Sequence, residues 1–271
     1  MPESHSMTTT RMLASKVPEV TLYFWIIKIL GTTVGETAAD ALNMDLGFGL
    51  TGTTVVVGIM LVAALLYQFT LRRYVPWAYW LVVILISVAG TLITDNLTDK
   101  FGVPLATSTG FFTAGLILTF ATWYISEGTL SIHSIRTRRR EGFYWLAILF
   151  TFALGTAAGD LVAEQIELGY LTSALIFAAI IALVTAAYYG LRLNAVLAFW
   201  IAYIVTRPLG ASIGDYLTQD KTAGGLGLGS TIVTTVFVIA IVGSVAYLSI
   251  TKADVLDTAA DNSNAEDAAR A

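Results

Sequence analysis

Gly31-Thr-Thr-Val-Gly35-Glu36-Thr-Ala-Ala-Asp40 sets two glycines and then two carboxylates, each pair one helical turn apart, inside an apolar run. Related stretches recur as Gly90-Thr-Leu-Ile-Thr94-Asp95, Gly155-Thr-Ala-Ala-Gly159-Asp160 and Gly210-Ala-Ser-Ile-Gly214-Asp215. Four residues after those acids stand Asp99, Glu164 and Gln219, as Asp40 follows Glu36. A charged side chain at the centre of a membrane helix costs about 2.5–3.5 kcal/mol on insertion scales. Four such groups in one chain imply that the carboxylates are used.

Working outward, 56% of the 271 residues are hydrophobic and 13% are charged. Soluble domains carry about 25% charged residues. Apolar runs of roughly 20 residues cross a bilayer core. Such runs cover 19–42, 48–71, 77–98, 105–130, 143–165, 169–190, 194–217 and 227–250. The expected fold is an all-α membrane protein with eight transmembrane helices, arranged as four parallel two-helix repeats with pseudo-symmetry about the membrane normal. The repeats are placed at 19–75, 76–135, 136–192 and 193–251, between a polar tail at 1–18 and a disordered acidic tail at 252–271. The first 18 residues lack an apolar core, so no cleavable signal peptide is expected.

Basic residues sort by side. Arg11, Lys16, Arg72, Arg73, Arg136, Arg138, Arg139, Arg140, Arg192 and Lys252 flank one side of the spans, and only Lys100 and Lys221 the other. The positive-inside rule then puts both termini in the cytoplasm. The net charge of −4 and the confinement of bases to membrane flanks give no nucleic-acid partner. Cysteine is absent, and His5 and His133 lie outside the spans, which excludes thiolate and imidazole metal sites within the membrane. No cofactor is expected, and membrane lipid is the surrounding partner.

Aligned on Gly31, Gly90, Gly155 and Gly210, the repeats place Glu36, Asp95, Asp160 and Asp215 in an inner acidic layer, with Asp40, Asp99 and Glu164 at the mouth. Oxygen ligands alone suit protons and hard cations. Lys28 and Arg207 each precede a first glycine by three residues and are candidates for gating or coupling. Pro208 is expected to kink or interrupt its helix. Gly31, Gly35, Gly90, Gly155, Gly159, Gly210 and Gly214 suit close helix packing rather than ligand binding. Trp80, Trp145 and Trp200 each lie ten residues before a first glycine, whereas Trp25 lies only six before Gly31.

The segments GTTVGETAAD, GTLITDNLTD, GTAAGDLVAE and GASIGDYLTQ, with their flanking helices over 17–250, resemble a bacterial family of multi-pass membrane-anchored proteins built from a tandem two-helix repeat of unknown function. The resemblance implies this architecture and a bacterial cytoplasmic membrane. It brings no activity. The expected function is a non-enzymatic transporter or ion-translocating protein for a hard cation or proton. The alternatives are a scaffold or partner subunit with structural carboxylates, in which the acids cap helices or pair with bases, and, remotely, an intramembrane aspartyl protease using the Gly-Asp pairs. Four internal copies can complete a pore in one chain, and the sequence specifies no oligomeric state.

Overall fold

The computed structural model describes residues 15–254; most of both expected tails lies outside them. Eight helices follow one another: α1 (Leu22–Asp40), α2 (Gly49–Thr70), α3 (Pro76–Asp95), α4 (Leu105–Glu127), α5 (Arg138–Asp160), α6 (Tyr170–Leu191), α7 (Ala195–Thr218) and α8 (Ser230–Thr251). Among the described residues there is no strand. Local chemistry sets several starts. The Thr21 and Thr137 hydroxyls accept from Phe24 and Arg140 N–H groups, Asn194 accepts from Val196 and Leu197, and Pro76 opens α3 where its missing N–H costs nothing.

The odd helices form an inner ring, in which α1 packs on α3, α3 on α5, α5 on α7 and α7 on α1. Each even helix covers the odd helix that follows it: α2 on α3, α4 on α5, α6 on α7, and finally α8 back on α1. Burial follows the same division. Spans α3, α5 and α7 are 72, 56 and 67% buried, against 17–22% for the outer four, whose surfaces are apolar all round.

Among the described residues, seven helices are long and apolar enough to cross a membrane; α1 is not among them. The difference from the expected eight lies in its composition. Lys28, Thr32, Thr33, Glu36 and Thr37 interrupt its apolar run, and all five are buried against protein. Pro208 does not interrupt α7, which stays helical on both sides of it.

The ring is closed at the end where the chain enters and leaves. Lys16 N–H donates to Ile135, Tyr74 N–H to Ser15, and Glu19 N–H to the Asp254 carbonyl. Below them Val17 joins the apolar core, and Lys16 forms a buried 2.5 Å ion pair with Glu141. Residues 15–18 and Asp254, read from sequence as parts of the tails, therefore build a floor under the bundle. At the other end, π-helical turns Ala41–Asp45, Asn96–Lys100 and Leu161–Gln165 extend α1, α3 and α5. Each begins on the residue after Asp40, Asp95 or Asp160.

Candidate functional site

Where the inner helices touch, glycine allows the approach. A methyl group added to Gly35 would fall 2.6 Å from Ser87 Cβ, one on Gly90 2.8 Å from Phe152 Cβ, one on Gly155 2.9 Å from Pro208 Cδ, and one on Gly210 2.6 Å from Thr32 Cβ. Gly31 has only Ile84 Cγ1 nearby, at 3.8 Å. The glycine equivalent to Gly90, Gly155 and Gly210 is thus Gly35, one turn later than the sequence alignment placed it. The π-helical turns report the same register, because Asp40 precedes its turn as Asp95 and Asp160 precede theirs. Trp25, the one exception in sequence, now falls into line: it lies ten residues before Gly35, as Trp80, Trp145 and Trp200 do before their glycines.

This shift reassigns the layers. Asp40, Asp95, Asp160 and Asp215 are the equivalent acids, and Glu36 is not one of them. Neighbours in that set lie within electrostatic reach of one another around the ring, and Glu36 lies within reach of all four. Asp215 is buried, and Asp40, Asp95 and Asp160 are half-buried. Among the described residues, none of these four carboxylates takes part in a side-chain hydrogen bond or ion pair. They do not cap neighbouring helices. The outer helix α8 is capped instead by Asp45, which accepts from Thr231 N–H at 3.1 Å and its hydroxyl at 2.7 Å. Asp99 and Glu164 are exposed at the mouth, bonded to Thr98 and Tyr170. Among the described residues no three His, Asp or Glu side chains are placed to hold one metal ion.

One turn deeper in the ring, Arg207 crosses between the helices. Its Nη2 shares two N–H groups among Glu36 at 2.9 Å, the Thr156 hydroxyl at 2.7 Å and the Thr91 hydroxyl, while Nη1 donates to the Thr32 carbonyl at 2.8 Å. Glu36, Thr91 and Thr156 occupy one repeat position, directly after Gly35, Gly90 and Gly155; the fourth residue there is Ala211. Three repeats thus supply partners to a guanidinium carried by the fourth. The sequence reading missed Thr91 and Thr156, although their shared position after a glycine was available as a signal.

Lys28 and Arg207, matched to each other in the sequence alignment, are not equivalent. Thr32 holds the position of Arg207, and Lys28 lies a further turn below. Its Nζ is fully buried and, among the described residues, has no hydrogen-bond partner; it lies 3.8 Å from the ring centre of Tyr203 and 4.7 Å from that of Phe152. Beyond it the Tyr79 and Tyr144 hydroxyls meet at 2.5 Å. Tyr74, packed against Tyr79, donates to Asp254 in the floor.

A ring of helices that gathers ionisable groups onto its inner side, beneath a coat of apolar helices, defines a multi-helix membrane protein with an axial polar column. The chain belongs to the family described as Repeat of Unknown Function (DUF347), which matches residues 23–74, 78–129, 143–193 and 198–254. Gly35, Gly90, Gly155 and Gly210 stand at the same position in each of the four matches, in agreement with the packing. No curated protein and no solved structure matches the chain.

Proposed function

We propose that this chain is an ion-translocating protein of a bacterial cytoplasmic membrane, and not an enzyme, handling a hard cation or proton at Asp40, Asp95, Asp160 and Asp215. In this reading α1 crosses the membrane with the other seven helices. The four repeats run parallel, related by pseudo-fourfold symmetry about the membrane normal, with both termini cytoplasmic and the acidic ring opening outward. The basic residues at the ends of α2, α6 and α8 and the start of α5 support that orientation. Arg207 and Glu36 close the path below the ring.

The observation that carries the reading is four equivalent carboxylates with no protein partner, set where burial is costly. A group serving only the fold would be expected to have its hydrogen bonds satisfied. Glu36 does serve the fold, which favours a structural role for that acid alone.

The test is thermal melting of the purified protein across Na⁺, Mg²⁺, Ca²⁺ and Mn²⁺ series at several pH values, beside Asp95→Asn/Asp160→Asn. Binding at a hundred times the dissociation constant adds about 2.7 kcal/mol. Stabilisation by one cation, or by acid, that disappears in the variant is expected. Indifference of the wild type to every ion and to pH, with the variant merely less stable, would move the acids to the scaffold role.

A further inference from the structure

Lys28 is buried without a counter-ion among the described residues, and the acidic ring does not explain it. Desolvating an ammonium without an anion is among the most expensive arrangements in a protein. Among the described residues, aromatic faces attend it, those of Tyr203 on α7 and Phe152 on α5. The charge facing it is the guanidinium of Arg207, of the same sign. Glu36, two turns further along α1, is already taken by Arg207. The Tyr203 hydroxyl is likewise buried and unpartnered. On the floor side of the ring stand the Tyr79–Tyr144 hydroxyl pair and Tyr74, whose ring packs on Tyr79 and whose hydroxyl donates to Asp254.

A metal ion leaving the acidic ring would meet two obstacles at this level, the fixed charge of Arg207 and the close-packed rings of Phe152 and Tyr203. Arginine does not shed its proton in proteins. Lysine does so readily when buried. An amine that is neutral between deliveries does not repel a proton as a fixed charge repels a metal ion.

We propose that the translocated species is the proton and that Lys28 is the station carrying it past Arg207, a step that rests on the ion-translocating reading above. The neutral amine takes a proton onto Nζ, and the resulting ammonium lies against the faces of Tyr203 and Phe152. It then moves off the ring faces to the Tyr203 oxygen and gives up that proton, while the Tyr203 hydroxyl proton passes to the Tyr144–Tyr79 pair and one proton leaves that pair through Tyr74 to the Asp254 carboxylate. Rotation of the Tyr203 hydroxyl restores the starting state, with one proton moved and no other bond changed.

The experiment uses the full chain in phospholipid vesicles enclosing a pH-sensitive dye, with a valinomycin-set potassium potential driving proton entry. Wild type conducts protons, and Lys28→Met lowers the rate by about 100-fold, the scale of losing a positioned proton-transfer group. Lys28→Arg keeps the charge but holds its proton, and is equally silent; Lys28→His regains part of the flux with an altered pH profile. Tyr203→Phe provides the same loss if Lys28→Met fails to fold. Wild-type proton flux in Lys28→Arg, or in a folded Lys28→Met or Tyr203→Phe, overturns the proposal. A sodium or magnesium flux lost in Asp95→Asn/Asp160→Asn, with no proton flux in wild type, overturns it while sparing the translocating function. Absence of every flux overturns both.

Discussion

Arg207 is held by three helices other than its own, and its contacts make it the residue on which the inner ring converges. The arrangement is dear to build, because both members of the ion pair are removed from water. Its removal is asymmetric: breaking a buried pair on one side costs about 3–5 kcal/mol, whereas replacing both members with apolar groups is often neutral. We predict that Arg207→Met, which strands Glu36, lowers stability by about that amount. Glu36→Leu/Arg207→Met should recover most of the loss. Denaturant unfolding in detergent, followed by circular dichroism, measures both. A double variant no better than the single would show that the hydroxyl and carbonyl contacts, rather than the charge pair, carry the stabilisation. Little of this was legible in the sequence. Arg207 stood out because a base within a span is rare, but Thr91 and Thr156 are neutral, common residues, and nothing in their type marks them as its acceptors.

Between elements the decisive contacts involve glycine. Gly31 and Gly35 are one turn apart and chemically identical, so the sequence offers two registers for the first repeat. Only packing separates them: Gly35 lies against Ser87, and Gly31 has ordinary contact with Ile84. We predict that Gly35→Ala costs about 1–3 kcal/mol, as overpacked sites do. Gly31→Ala should be near neutral, since it replaces glycine by the best helix former where there is room. The pair of melting temperatures checks the register directly, and equal losses at both positions would refute it. The choice of the wrong turn explains why the sequence reading set Glu36 among the ring acids and paired Lys28 with Arg207. The helical class, the repeats and the close packing at Gly35, Gly90, Gly155 and Gly210 were nonetheless readable, because hydrophobic length and a periodic motif are local properties. Which of two adjacent turns meets a neighbour is not local.

For the whole molecule, the floor ties the two chain ends to the bundle. Asp254 is almost fully covered there, and burial pushes its carboxyl above the ordinary aspartate range, although the hydrogen bond from Tyr74 works the other way. Burial acts on Tyr74 in the same direction, so its hydroxyl stays protonated and able to donate. For an acid raised in the folded state, the stabilising contribution is complete below its unfolded value of about 3.9 and is lost as pH rises through the folded value. We predict that Asp254→Asn flattens that part of the decline in melting temperature between acid and neutral pH. It should leave the protein at least as stable at pH 7 as the wild type. An unchanged slope would mean that Asp254 is solvated when charged.

The return of α8 onto α1 has a further consequence, for biosynthesis. Helices leave the ribosome in order, and each outer helix finds its place only when the next inner helix arrives. The cover of α1 is made last of all. Until α7 is made, the most polar inner helix, with Lys28 and Glu36 along its length, lacks both that neighbour and the guanidinium that pairs with Glu36, and until α8 is made it lacks its cover. Chain synthesis must therefore be nearly complete before the first helix to emerge can reach its native environment, and a premature stop anywhere in the last repeat strands the beginning of the protein rather than its end.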